Sequence, residues 1–161
     1  MDGFIAGPAN DLSWLPPPSE DEDYGYRAFL ADTAAILMGR GTYDVAAAFP
    51  DWPYGELPVF VATSRPVDPV APTVRTISGT PGELLATVRK HVDGGVYLDG
   101  GALIRSFLDE RLIGELTVTV VDVILGAGIP LFAGTSRAHR LTLTGVTSYA
   151  TGLVQLRYLT A

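Results

Sequence analysis

The stretch Val96-Tyr97-Leu98-Asp99-Gly100-Gly101-Ala102-Leu103-Ile104-Arg105-Ser106-Phe107-Leu108 changes its hydrophobic period halfway along. Val96 to Leu98 is a short apolar run rich in β-formers, the pattern of a buried strand. Leu103, Ile104, Phe107 and Leu108 follow at i, i+1, i+4 and i+5, which is one face of a helix. Between the two, Gly100 and Gly101 place no side chain in front of the main chain. A strand ending in adjacent glycines that open a helix leaves backbone N–H groups accessible to phosphate. In open α/β sheets such strand ends are where ligands bind. The same two glycines also suit a plain strand-to-helix turn, and no GxGxxG is completed here.

Two more strand ends share the pattern. Ile36-Leu37-Met38 reads as a buried strand running into Gly39-Arg40-Gly41-Thr42-Tyr43 and a short helix that ends near Phe49. Val59 to Ala62 is a third apolar strand, followed by Thr63-Ser64-Arg65-Pro66. Guanidinium and hydroxyl groups both suit phosphate oxygens. Three such ends (39–42, 63–65 and 99–101) point to one extended phosphorylated cofactor.

The remaining segments fill in an α/β pattern. Phe4 to Ala6 is the end of a strand or part of a loop, and residues 10–18 form an irregular loop. Trp14 in that loop is either a core plug or a wall of a ligand cleft. Ser19 with Glu22 makes a capping box, and the acids 20–23 suit a helix start. The spacing predicts that helix through Tyr26, Phe29 and Leu30 to about Thr33. Residues 50–58 are a turn-rich loop carrying Trp52 and Tyr54. Val74 to Ile77 is a strand, and Thr80-Pro81-Gly82-Glu83 starts a capped helix. Glu115 to Leu125 reads as a long strand ending in Gly126-Ala127-Gly128, a turn because no helix follows it. Arg140 to Tyr149 and Leu153 to Thr160 alternate around Thr151-Gly152, which predicts an antiparallel hairpin closing the sheet. With neither repeats nor a linker, residues 1–161 are expected to form a single domain.

Composition narrows the function classes. A net charge of −7 argues against a broad nucleic-acid surface. No apolar run is long enough to span a bilayer, and no signal segment opens the chain, so a cytoplasmic protein is expected. With no cysteine and only His91 and His139, zinc-site spacing is absent and no metal is expected.

Several segments together resemble one family: the dihydrofolate reductase fold, and within it the reductase-like C-terminal domain of the bacterial riboflavin-biosynthesis deaminase–reductase. They are Asp2-Gly3-Phe4-Ile5-Ala6, Met38-Gly39-Arg40-Gly41-Thr42-Tyr43, Trp52-Pro53-Tyr54-Gly55 with Val61-Ala62-Thr63-Ser64-Arg65, Gly100-Gly101-Ala102-Leu103-Ile104, and Leu125-Gly126-Ala127-Gly128-Ile129-Pro130-Leu131-Phe132. They keep the family's order over almost the whole chain. The resemblance implies a three-layer α/β fold, with a mixed, mainly parallel central sheet flanked by helices and an antiparallel C-terminal hairpin. It implies NADPH as cofactor and hydride transfer to a small heterocycle, aminouracil-like or pterin-like. Arg40 and Thr42 would meet the cofactor phosphates, Ser64 and Arg65 the adenosine 2′-phosphate, and Gly100 and Gly101 the diphosphate. Gly39, Thr63, Ala102 and Leu103 complete the implied cofactor contacts. In dihydrofolate reductases the double glycine carries a cis peptide, which costs about 2.5–4 kcal/mol for a non-proline bond. Asp23 falls at the place of the carboxylate that assists protonation there, although it also suits a solvated surface turn. Asp2, Trp14, Ile129 and Phe132 are the implied substrate-cleft residues. Relatives of this type are commonly homodimers built through the C-terminal strands.

The chain departs from the pattern in places. Many relatives have a third glycine where Asp99 stands, and a carboxylate there repels a diphosphate unless it points away. Asp-Glu is common in place of Gly114-Glu115, and proline in place of Asp122. The family's first strand, expected before Asp2, is missing from the sequence, and there is no deaminase domain. The alternative function is a non-catalytic nucleotide-binding protein of the same fold.

Overall fold

Ile36, Leu37 and Met38 form an apolar run without alternation, the mark of a strand covered on both faces. The computed structural model, which describes residues 1–16 and 22–161, buries all three completely. In chain order, β1 (Phe4–Ala6) is followed by α1 (Tyr26–Ala31), β2 (Thr33–Gly39), α2 (Arg40–Ala46), β3 (Val59–Ala62) and β4 (Val74–Ile77). Then come α3 (Pro81–Arg89), β5 (Gly95–Asp99), α4 (Gly101–Asp109) and β6 (Glu115–Val120). The short β7 (Ile129–Pro130) precedes the hairpin of β8 (Leu141–Ser148) and β9 (Val154–Thr160).

Contacts divide the chain into two compact units, Gly25–Ile104 and Met1–Tyr24 with Arg105–Ala161. The first contains a four-stranded parallel sheet in the order β4-β3-β2-β5. Ile36, Met38, Val59, Val61 and Val74 form its core with Tyr43, Ala46 and Tyr54. The buried Tyr43 hydroxyl is satisfied twice, donating to the Asp68 carbonyl (2.7 Å) and accepting from the Val70 amide (3.1 Å).

The second unit holds the antiparallel sheet β6-β9-β8 and the small ladder β1-β7. Cross-strand partners share a face. Leu116, Tyr158 and Leu143 therefore make one row, and Val118, Leu156 and Val146 the next. Exposure along this apolar face climbs from 9% at Leu116 to 52% at Leu143 and 59% at Val146.

Local signals explain most boundaries. Thr80 and Glu83 form the expected capping box of α3, with the Thr80 amide donating to the Glu83 carboxylate at 2.8 Å. The first helix is shorter than its spacing predicts. Tyr24 and Gly25 adopt left-handed φ angles of 54° and 78°, which stops a helix from running through them. Glu22 accepts from the Tyr24 amide (2.8 Å), forming a local turn, while Ser19, its partner in the expected capping box, and Glu20 and Asp21 of the acidic run lie outside the described residues. Thr33 belongs to β2, not to the helix; its hydroxyl donates back to the Phe29 carbonyl (2.9 Å). β6 also ends early, at Val120 instead of Leu125. Its partner strand starts at Val154, opposite Val120, so β9 has no further residue to pair with 121–125, and the Val121 and Val123 carbonyls accept from the Met1 amine instead.

Candidate functional site

All four strands of the parallel sheet point the same way, so their carboxyl ends share one edge. Gly39, Ala62 and Ile77 lie in register across β2, β3 and β4, and Asp99 lies beside Met38. The three candidate turns at 39–42, 63–65 and 99–101 therefore emerge side by side. From β2 the chain steps outward to β3 and β4, then returns to the other flank of β2 for β5. The switch point, where open sheets bind ligands, lies between Gly39-Arg40 and Gly100-Gly101.

Gly100 has φ +105°, and a Cβ there would sit 2.5 Å from the Thr42 hydroxyl oxygen. Only a glycine lets the two turns meet, and the Thr42 hydroxyl lies against bare main chain. A Cβ on Gly39 would lie 4.0 Å from Leu103 Cγ. Gly39, Thr42, Gly100 and Leu103 are thus brought together, while Gly101 is buried at the start of α4 and Ala102 is exposed. The described peptide bonds are all trans. The cis double glycine that the resemblance implies is absent, and the positive φ of Gly100 turns the chain instead.

Arg40 is partly committed. Its Nε donates to Asp44 (2.6 Å) and its Nη1 to the Pro66 carbonyl (3.0 Å), tying α2 to the turn after β3. In that turn the Arg65 amide donates to the Thr63 hydroxyl (3.1 Å), leaving the Ser64 and Arg65 side chains exposed. A groove of about 270 Å³ runs here, lined by Thr63, Ser64, Arg65 and Pro66 with Thr76, Ile77 and Ser78 of the neighbouring strand end.

Asp99 is the group whose role sequence reading left open. Tyr97 and Asp99 stand two apart on a strand and share a face, and their side chains are hydrogen-bonded. The Tyr54 hydroxyl donates to Asp99 Oδ2 at 3.4 Å, and the Gly100 amide also donates to the carboxylate. Burial pushes the carboxyl up from the usual range, with these three donors opposing it. Burial and then the Asp99 charge push both phenols up. Trp52 packs edge-on against Tyr54 at 5.0 Å and Tyr43 at 6.0 Å, fixing the loop that carries Tyr54. The Tyr97-x-Asp99 spacing was a readable signal for half of this cluster. Tyr54 comes from a distant loop and left none.

The antiparallel unit has a cavity of its own, about 310 Å³, walled by Phe4, Ile5, Trp14, Tyr24, Thr119 and Val121 among others. Trp14 donates its indole N–H to the Asp11 carbonyl (3.0 Å), so it lines a cleft and is pinned there. The Tyr24 carbonyl accepts from Gln155 Nε2 (2.9 Å) and the Tyr149 hydroxyl (3.1 Å), anchoring that wall to β9. Of the four substrate-cleft candidates, this cavity takes Trp14 alone. Asp2 is exposed and accepts from the Gly126 amide (2.7 Å), which holds its carboxyl below the usual range. Ile129 pairs with Ala6, and Phe132 is exposed. Arg105 grips the Pro130 and Leu131 carbonyls between them (3.0 and 3.1 Å). Asp23, half-buried next to Tyr24 in sequence, is engaged with a neighbour and is not among the cavity walls. Among the described residues no cluster of His, Cys, Asp and Glu is placed to hold a metal ion.

An open parallel sheet with glycine turns at its switch point and an antiparallel C-terminal sheet defines the dihydrofolate reductase-like class of α/β folds. The chain belongs to the RibD C-terminal domain family, whose model matches residues 1–155. It is 31% identical over 163 residues to the uncharacterized protein YwjB of Bacillus subtilis (strain 168), covering all of this chain and 93% of that one. The crystal structure of a putative riboflavin biosynthesis protein from Shewanella sp. PV-4 superimposes with a TM-score of 0.90 at 29% identity, over 100% of this chain and 94% of the other. The diaminohydroxyphosphoribosylaminopyrimidine deaminase/5-amino-6-(5-phosphoribosylamino)uracil reductase of Thermotoga maritima shares the fold, with a TM-score of 0.74 at 15% identity. This chain matches 54% of that longer protein.

Proposed function

We propose that the chain is an NADPH-dependent oxidoreductase that reduces a small heterocycle, aminouracil-like or pterin-like. The observation that carries this reading is the sheet edge, where three phosphate-suited turns meet and the Thr42 hydroxyl abuts a Gly100 that tolerates no Cβ. That bare main chain fits a diphosphate. Gly100 and Gly101 admit it, Thr42 and the remaining N–H groups of Arg40 bond its oxygens, and Ser64 and Arg65 take the 2′-phosphate in their groove. NADPH supplies the hydride. The protein orients the acceptor ring, keeps water from it and delivers one proton to the reduced nitrogen, for which Asp23 is the assigned carboxylate.

Titrating the pure chain with NADPH and NADH, followed by nicotinamide fluorescence, tests the cofactor assignment. Turnover with candidate aminouracils and pterins then tests the chemistry. Failure to bind NADPH overturns the reading. Binding without turnover of any heterocycle returns the chain to a non-catalytic nucleotide binder.

The partners proposed are this heterocycle and a second copy of the chain, with neither nucleic acid nor membrane. Among the described residues no helix is long and apolar enough to cross a membrane. The exposed apolar rows of β8 support a homodimer through the C-terminal strands.

A further inference from the structure

The cavity of the antiparallel unit is chemically one-sided. Among the described residues that line it there is no lysine, arginine, aspartate or glutamate. Phe4, Trp14 and Tyr24 are its aromatic members, and besides the Trp14 indole N–H, already given to Asp11, the hydroxyls of Thr119 and Tyr24 are the described side-chain polar groups. The Tyr24 carbonyl is already taken by Tyr149 and Gln155. Arg105 of the same unit gives its Nη1 to two backbone carbonyls and is not among the described cavity walls. At about 310 Å³ the space is near the lower limit for a ligand pocket, about 300 Å³, enough for one or two fused rings.

A phosphate dianion needs a guanidinium, an ammonium or a run of free N–H groups. In this cavity it would lose its hydration and gain no counter-charge.

We infer that the cavity takes an uncharged planar heteroaromatic ring, and that this chain's substrate carries no phosphate. The inference rests on the reading of the chain as a heterocycle reductase and deepens it. It separates the chain from the Thermotoga maritima protein of the same fold, whose name specifies a phosphoribosylamino compound.

The intact chain serves for the test. Pterin and a 6-ribosylaminouracil, the latter with and without its 5′-phosphate, are titrated in while the quenching of Trp14 fluorescence is read. Trp14→Phe identifies the share of the signal that belongs to Trp52. Pterin and the unphosphorylated riboside should bind at least ~10-fold more tightly than the phosphate. Thr119→Lys, which places an ammonium in the wall, should narrow or reverse that ratio. A phosphate ester that binds wild-type protein as tightly as the riboside overturns the inference, as does failure of every ring to bind. The wild-type ratio needs no variant to fold. NADPH binding, measured on the same samples, stands or falls separately: if it is absent while the ring preference holds, the reductase reading fails and the cavity's selectivity survives.

Discussion

A carboxylate one residue before the proposed phosphate turn would be an electrostatic liability, and Asp99 is accommodated by burial against Tyr54 and Tyr97. Because burial raises its folded-state value above the unfolded value of about 3.9, the folded chain holds this proton to higher pH than the unfolded chain. The stability it contributes is complete below the unfolded value and is lost as pH rises through the folded one. Urea unfolding across that window should show stability falling with pH, and Asp99→Asn should flatten the fall; an unchanged slope would place the charge elsewhere. Asp109 has the opposite sign. The Ser136 amide, then the bond to His139 (2.9 Å), hold its carboxyl low, so its contribution is present above the unfolded value and fades as pH drops. Arg65→Ala should weaken NADPH binding by about 10- to 100-fold and NADH binding much less, as expected for a charge-assisted bond to the 2′-phosphate. Equal losses for the two cofactors would remove that role. Asp23→Asn should lower turnover by about 10²- to 10⁴-fold while NADPH affinity stays close to wild type. An unaltered rate would leave Asp23 as an ordinary turn residue.

At the level of elements, what was legible in the sequence was local. The Thr80–Glu83 box, the glycine turns and the alternation of β8 and β9 act over a few residues, and each lies where its pattern indicates. The three phosphate-type strand ends were also readable, because parallel strands place equivalent ends on one edge. What long-range pairing decides was not readable. β6 stops where β9 begins, and the acidic cluster at 20–23 gives no sign of the left-handed turn at Tyr24 and Gly25. Trp14 apart, the cavity walls were hidden for the same reason: Phe4, Thr119 and Leu153 come from three distant segments. Two substitutions probe this scale. Thr80→Ala should cost about 1 kcal/mol in chemical unfolding through loss of the cap. Gly128→Ala should cost more, because its φ is +151° and the new Cβ would sit 2.0 Å from the Ala6 carbonyl oxygen. The loss should appear as reduced hydrogen-exchange protection in β1 and β7.

For the whole molecule, the apolar rows end at Leu143 and Val146 on an edge strand, and the homodimer proposed above would cover them through a two-fold interface. Light scattering at micromolar concentration should report twice the chain mass, and Val146→Glu should shift it toward one; a wild-type monomer that still binds NADPH would dismiss the pair. The division of the chain also bears on its biosynthesis. Residues 25–104 form one uninterrupted unit, whereas the other is split around it, with Phe4 pairing with Pro130. On the ribosome the parallel sheet is complete before the antiparallel sheet β6-β9-β8 exists. The 126 residues between Phe4 and its partner take roughly 6–25 s to add at ordinary elongation rates. β1 is therefore among the last strands to be seated: it stays unpaired throughout, and over roughly the last quarter of that interval the nascent chain carries both a finished parallel sheet and an orphan strand.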